Sequence, residues 1–451
     1  MKSLLIGLLL AGAAMAHNND LTHRPRSFAV SSGSAVFVDF KDAHYLITYD
    51  ITNKSAKIKA EIQFDAPEAG FPIFDSVEAP ESIMLDGKPV EAVQTKTPAG
   101  ETTLRYISKA VKTGSHKLTM EVPLKTLVEF KDGGVKSAFW TSDLSERQYL
   151  ERYMPANFEF DQVKMNFTVK FEGLKKEKQA IYTNGVVTEV DGSTFKISYP
   201  SYFTSSSLFF HTVPQSTVKE LKFTLKSIDG REIPSVVYVG STSIFTSLDS
   251  LKRQTTEIFQ ELESDYGPFP HPSITVYNAG MGGMEYCGAT MTSVSALGHE
   301  LFHSYFARGV MPANGNSGWL DEALASWRDN GYQSLGTLAG SSGMSSHPYY
   351  TRTTDRAAYS FGERFMRLMD GKLKEKGGLK PFMRHMVENR KFSPLFVEEF
   401  IKEMGEFYSA DFSADFQQYT FGKGNSFSPE LKFKTNQVHR KMTVEELKNY
   451  L

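Results

Sequence analysis

His299-Glu300-Leu301-Phe302-His303 is the stretch that decides how this chain folds and what it holds. On a helix, residues four apart lie one above the other on the same face. Both imidazoles therefore reach one tetrahedral Zn²⁺ at about 2.0–2.1 Å. Glu300 flanks the open side of the metal and takes a proton from a bound water, whose pKa the ion lowers from about 15.7 to about 7. Five residues alone match by chance in some chains. The flanks Val294, Ala296, Leu297, Leu301, Phe302 and Phe306 are apolar and helix-compatible, which sets the motif on a buried helix rather than a solvated one. Past breaks at Pro312 and Gly318, Trp319-Leu320-Asp321-Glu322-Ala323-Leu324-Ala325 opens a second helix. There Glu322 offers the third ligand and completes a His₂Glu catalytic set. Asp321 reads either as an outer partner of a ligand imidazole or as a helix cap.

Two neighbouring segments add to this. Upstream, Gly282-Gly283-Met284-Glu285-Tyr286 joins two glycines, which permit close backbone approach to a ligand, to a carboxylate suited to an ammonium group. Downstream, Tyr359 in Ala358-Tyr359-Ser360-Phe361-Gly362 opens an apolar helix through Phe365, Met366 and Met369, and reads either as a packing residue or as a phenol that donates to a developing oxyanion. Arg352 and Arg356 just before it read as surface charge, and Cys287 as a small buried hydrophobe.

Away from the motif the pattern changes. Residues 27 to about 240 carry runs of period-two alternation, such as 44–51, 56–64 and 163–171, separated by turn signals at Asp86-Gly87, Asp132-Gly133-Gly134 and Asp191-Gly192. That predicts an antiparallel β domain. From about 243 the spacing turns helical: 245–262 predicts a helix, 273–277 a strand, and helices dominate after Val294. Ser393-Pro394 reads as a helix start, and Thr443-Val444-Glu445-Glu446 as the capping box of a last helix.

At 451 residues the chain has room for two or three domains of about 100–200 residues. With 40% hydrophobic and 13% aromatic residues, it is neither disordered nor fibrous. Lys and Arg number 50 against 52 Asp and Glu, so no basic excess exists to neutralise phosphates, and nucleic acid is not an expected partner. The single cysteine excludes an intrachain disulfide and a cysteine-based zinc knuckle. Lys2, the apolar run 4–12 and Ala14-Met15-Ala16 read as a secretory signal peptide cut before His17. The run is too short to span a bilayer. The expectation is an exported protein, periplasmic or extracellular, with no membrane span.

Taken in order, these pieces resemble the M1 family of zinc aminopeptidases, the gluzincins that include aminopeptidase N and leukotriene A4 hydrolase. Residues 282–286 resemble the family's Gly-x-Met-Glu-Asn motif, with Tyr286 in place of Asn. His299 to His303 match HExxH. Residues 304–321 form the eighteen-residue spacer before the ligand Glu322, and Tyr359 to Gly362 match the Tyr-x-x-Gly stretch. The resemblance is sharp over residues 259–365. It implies an α+β multidomain fold, in which an antiparallel, saddle-like β domain precedes a thermolysin-like, mainly helical catalytic domain. The expected division is signal peptide 1–16, β domain 17–215, catalytic domain 216–380 and a short helical segment 381–451, without the family's large C-terminal helical domain. It also implies one Zn²⁺ on His299, His303 and Glu322, with Glu300 as general base and Tyr359 as oxyanion donor. Glu285 would hold the α-ammonium of a peptide substrate, and Gly282, Gly283 and Met284 would line its backbone. The expected activity is N-terminal hydrolysis of oligopeptides, by a monomer by default. An endopeptidase, an epoxide hydrolase of the same fold and a catalytically dead binding scaffold remain alternatives.

Overall fold

The computed structural model describes residues 23–100, 104–131, 133–139, 150–174, 178–241, 247–280, 282–313, 315–348, 350 and 354–422. The expected signal peptide, the capping box at 443–446 and Arg352 lie outside them. The architecture is mixed β-sheets followed by helices.

The strand Ser55–Ala66 shows how the first half is built. Ile58, Ala60, Ile62 and Phe64 alternate inward and are fully buried, while Lys57, Lys59 and Gln63 face solvent. It pairs antiparallel with Asp39–Asp50 on one side and Gly114–Pro123 on the other, at the centre of an eight-stranded sheet. The β region is not wholly antiparallel as expected. Lys164–Glu172 runs parallel to Asp39–Asp50, and Gly33–Phe37 runs parallel to Phe71–Asp75. Alternation fixes which face of a strand is buried. It carries no information on direction, which depends on the crossover connecting the strands.

The second half holds a five-stranded mixed sheet, in the order Val218–Lys226, Glu232–Gly240, Ile274–Asn278, Ala289–Thr292, Gly283–Tyr286. Seven α-helices among the described residues accompany it: α1 (Leu248–Tyr266), α2 (Leu297–Phe302), α3 (Leu320–Asp329), α4 (Phe361–Leu373), α5 (Lys380–Arg390), α6 (Val397–Tyr408) and α7 (Ser413–Tyr419). Phe302, Trp319, Leu324, Phe365, Phe382, Phe400 and Phe416 share one apolar core between them. A second core fills the N-terminal sheets and does not stop at the start of the helical half. Tyr238, Tyr277, Met284 and Tyr286 belong to it, and the Tyr286 ring meets Phe209 edge-on at 5.2 Å. No helix among the described residues is long and apolar enough to cross a membrane.

Local expectations fail in three places. Ser393–Leu395 is a strand parallel to Val310–Pro312, not a helix start. Pro394, with no N–H to give, fits a two-stranded edge, and α6 opens at Val397, where Glu399 Oε2 accepts from the Phe396 amide at 2.8 Å. The metal-motif helix α2 ends at Phe302, with His303 as its helical-conformation cap (φ −61°, ψ −16°), although the apolar flank runs on to Phe306. Tyr359 closes a 3₁₀ turn, Arg356–Tyr359, and α4 starts two residues later.

Candidate active site

The three expected ligands converge. His299 Nε2 lies 3.0 Å and His303 Nε2 3.3 Å from the same Glu322 oxygen, Oε2. All three ligand atoms fall within 4.8 Å of one another, and all three residues are buried. A tetrahedral site with bonds of about 2.05 Å has edges of about 3.3 Å, so the spacing suits one zinc ion. The outer nitrogens settle the tautomers. His303 Nδ1 lies 3.0 Å from the Phe306 carbonyl, which only accepts, so Nδ1 carries the proton and Nε2 presents a lone pair. His299 Nδ1 lies 2.7 Å from Asp329 Oδ2, which favours the same arrangement. Two imidazole nitrogens and a carboxylate oxygen thus face one another in a buried pocket, an arrangement that calls for positive charge, whether protons on the rings or a metal ion. The electrostatics agree. Burial opposes a charged His299, but Asp329 and Glu322 outweigh it and hold its pKa well above the ordinary value. Burial likewise opposes a charged His303, and Glu322 reverses the balance.

Asp329 is the residue that sequence reasoning missed. Asp321 is expected either to meet a ligand imidazole or to cap α3; the ligand Nδ1 atoms are instead met by Asp329 and the Phe306 carbonyl, and the cap residue is Trp319. Asp321 Oδ1 accepts from the Glu322 amide at 2.8 Å, in the first turn of α3. Asp329 lies seven residues past Glu322, two turns along one helix face, so α3 reaches one imidazole from both sides. Arg328 holds this outer carboxylate in turn. Its Nη1 donates to Asp329 Oδ1 at 3.1 Å, while Nε and Nη2 clamp Glu261 on α1 at 3.0 and 2.7 Å. A side chain at Gly298 would collide with this guanidinium, since a Cβ would sit 2.4 Å from Nη1.

Glu300, on α2, faces the strand Gly283–Tyr286. A Cβ at Gly283 would lie 2.0 Å from Glu300 Oε1, so the glycine makes room for the carboxylate. Gly282 adopts φ +69°, which favours glycine. Residues 283 and 285 share one strand face and 284 and 286 the other. Glu285 therefore looks toward α2, while the Met284 side chain lies in the core, leaving only its backbone to line a substrate. The Tyr359 ring lies nearly parallel to that of His299, with centroids 6.3 Å apart. Burial, then Glu322, push its phenol well above the ordinary range, so it stays protonated as a donor.

Glu285 does not stand alone. Its Oε1 accepts from Arg308 Nη2 at 2.9 Å, and both side chains are buried. Arg308 Nη1 also donates to Ser206 Oγ at 2.5 Å. Nothing in the spacing from 285 to 308 announces this pair. Cys287 is buried, and burial pushes its thiol up to about 12. Arg356 is exposed, and His347 pairs with Asp355 at 2.9 Å.

No family model matches this sequence, and no curated protein matches it. Solved structures share its fold. A crystal structure of an M1 zinc metallopeptidase from Deinococcus radiodurans superposes with a TM-score of 0.63 at 14% identity, covering 88% of this chain and 96% of its own. A mutant of that protein bound to a Tyr-Ser-Ala substrate gives the same score, with 87% and 96% covered. Yeast LTA4 hydrolase superposes with a TM-score of 0.59 at 13% identity, over 86% of this chain and 69% of its own. Legionella pneumophila aminopeptidase A, solved with aspartic acid, gives 0.63 at 13% identity, over 88% of this chain and 51% of its own. The fold is that of M1 zinc peptidases and of LTA4 hydrolase.

Proposed function

We propose that this chain is a zinc metallopeptidase of the M1 type, holding one Zn²⁺ and hydrolysing peptide bonds in oligopeptides. The observation that carries this reading is the convergence of one ligand atom each from His299, His303 and Glu322 in a buried cluster. A Zn²⁺ held by these three residues would supply an acidified water and polarise the substrate carbonyl. Glu300 would hold the proton given up by the attacking water and pass it to the leaving amine nitrogen. Tyr359 donates to the substrate oxygen as negative charge builds on it. Arg328 and Asp329 hold the His299 ring in register.

The aminopeptidase form of this reading is supported by the aminopeptidase among the fold neighbours and by Glu285 on the strand face that looks toward α2. Cleavage of internal bonds is favoured by one observation, the ion pair between Glu285 and Arg308. Export through the leader at 1–16 belongs to the proposal and is tested by N-terminal sequencing of the secreted protein.

Purified protein is assayed for bound metal and for hydrolysis of a fluorogenic peptide panel, with chelator and after zinc return. Stoichiometric zinc with chelator-sensitive cleavage supports the reading. A zinc-loaded protein that leaves every peptide intact shifts weight to an epoxide substrate or a binding scaffold.

A further inference from the structure

We infer that Arg308 sets the substrate class of this cleft: by neutralising Glu285, it removes the requirement for a free α-ammonium and admits N-acylated and internal peptide bonds. The inference rests on the peptidase reading above and deepens it.

The pair is built into the fold rather than formed by two surface chains. Arg308 Nη2 meets Glu285 Oε1 at 2.9 Å, with side-chain exposures of 2% and 0%. Three separate segments supply the parts: the strand Gly283–Tyr286, the turn after α2 and Ser206 of the first half of the chain. The turn is held in an unusual conformation that delivers the guanidinium. Ala307 sits at φ +124°, a region that L side chains rarely adopt. The Arg308 amide donates to the His303 carbonyl at 2.9 Å, and the Val310 amide to the Tyr305 carbonyl at 2.7 Å. A Cβ at Gly309 would lie 2.4 Å from the Tyr305 oxygen. Such strain persists where the surroundings over-determine it, and it clusters at functional sites.

The consequence is electrostatic. A carboxylate selects an ammonium group when its charge is uncompensated. Here the charge is already matched, and an incoming ammonium must either displace a buried guanidinium or sit beside it. Displacement strands a desolvated cation, and juxtaposition sets two like charges together. A neutral acyl carbonyl meets neither penalty, since it accepts from a guanidinium.

The test measures kcat/KM on peptides of one sequence, with a free amine and N-acetylated, using the zinc-loaded full-length protein. The expected ratio of free to acetylated substrate lies within about tenfold of one. Arg308→Met, which takes the guanidinium away from Glu285, shifts the ratio at least tenfold toward the free amine, and Arg308→Lys, which keeps a cation, does so less. If Arg308→Met does not fold, the wild-type ratio decides. A wild-type preference above about a hundredfold for the free amine overturns the inference and leaves the peptidase reading standing. An unchanged ratio in a folded Arg308→Met also overturns it. Absence of cleavage of both sets overturns the peptidase reading and the inference with it.

Discussion

Glu300 rests against Gly283 so closely that one methyl group at position 283 would lie 2.0 Å from Oε1 and 2.5 Å from the carboxyl carbon. The Glu300 carboxylate is thus positioned by the absence of a side chain on the facing strand. Gly283→Ala should shift the carboxylate by about an ångström and lower kcat roughly hundredfold. Bound zinc and the melting temperature should stay near wild type. Wild-type kcat in the alanine variant would show that the carboxylate is free to relax.

Glu300→Gln keeps the shape and removes the proposed base. Loss of proton transfer should lower kcat by about 10²–10⁴, with zinc stoichiometry preserved. Metal analysis and steady-state kinetics on one preparation check both halves of the statement.

Asp329→Ala removes the acceptor on His299 Nδ1. Zinc affinity should fall about 10–100-fold, read by competition with a chromogenic chelator. The matching change at Asp321 should have a much smaller effect on affinity, because its carboxylate is engaged by the Glu322 amide.

Tyr359→Phe deletes a phenol that burial and Glu322 keep protonated. If that phenol donates to the transition state, kcat should fall about 10²–10³-fold with KM little changed. An equal rise in KM with kcat intact would mark Tyr359 as a packing residue.

Cys287 should resist alkylation. Its thiol is raised to about 12, so the reactive thiolate is scarce at pH 8 and grows only as pH climbs toward that value. Iodoacetamide at pH 8 should label the protein after denaturation and not before, as read by mass spectrometry.

What was legible in the sequence was what local periodicity encodes. His299 and His303 lie one helical turn apart, Glu322 opens the next helix, and the structure brings the three into one cluster. The buried face of Ser55–Ala66 follows from alternation alone. Asp329 was within reach of the same logic, because seven residues from Glu322 is two turns of one face. Asp321, next to the ligand, lies about a quarter turn off that face. Strand direction, the strand at Ser393–Leu395 and the Glu285–Arg308 pair were not legible. Each depends on a contact between segments whose separation carries no period. The α2 terminus was hidden for another reason: Phe306 is as apolar as a helical residue, but the chain has already turned to bring Arg308 inward.

Met284 and Tyr286 are buried in the interior of the N-terminal sheets, while Gly283 and Glu285 on the same four-residue strand face the metal helix. The helical half is therefore not expected to fold on its own. Removing the first two hundred residues would bare the back of the strand that positions Glu300. The molecule should melt in one cooperative transition, with loss of zinc-dependent turnover coinciding with loss of β-sheet signal.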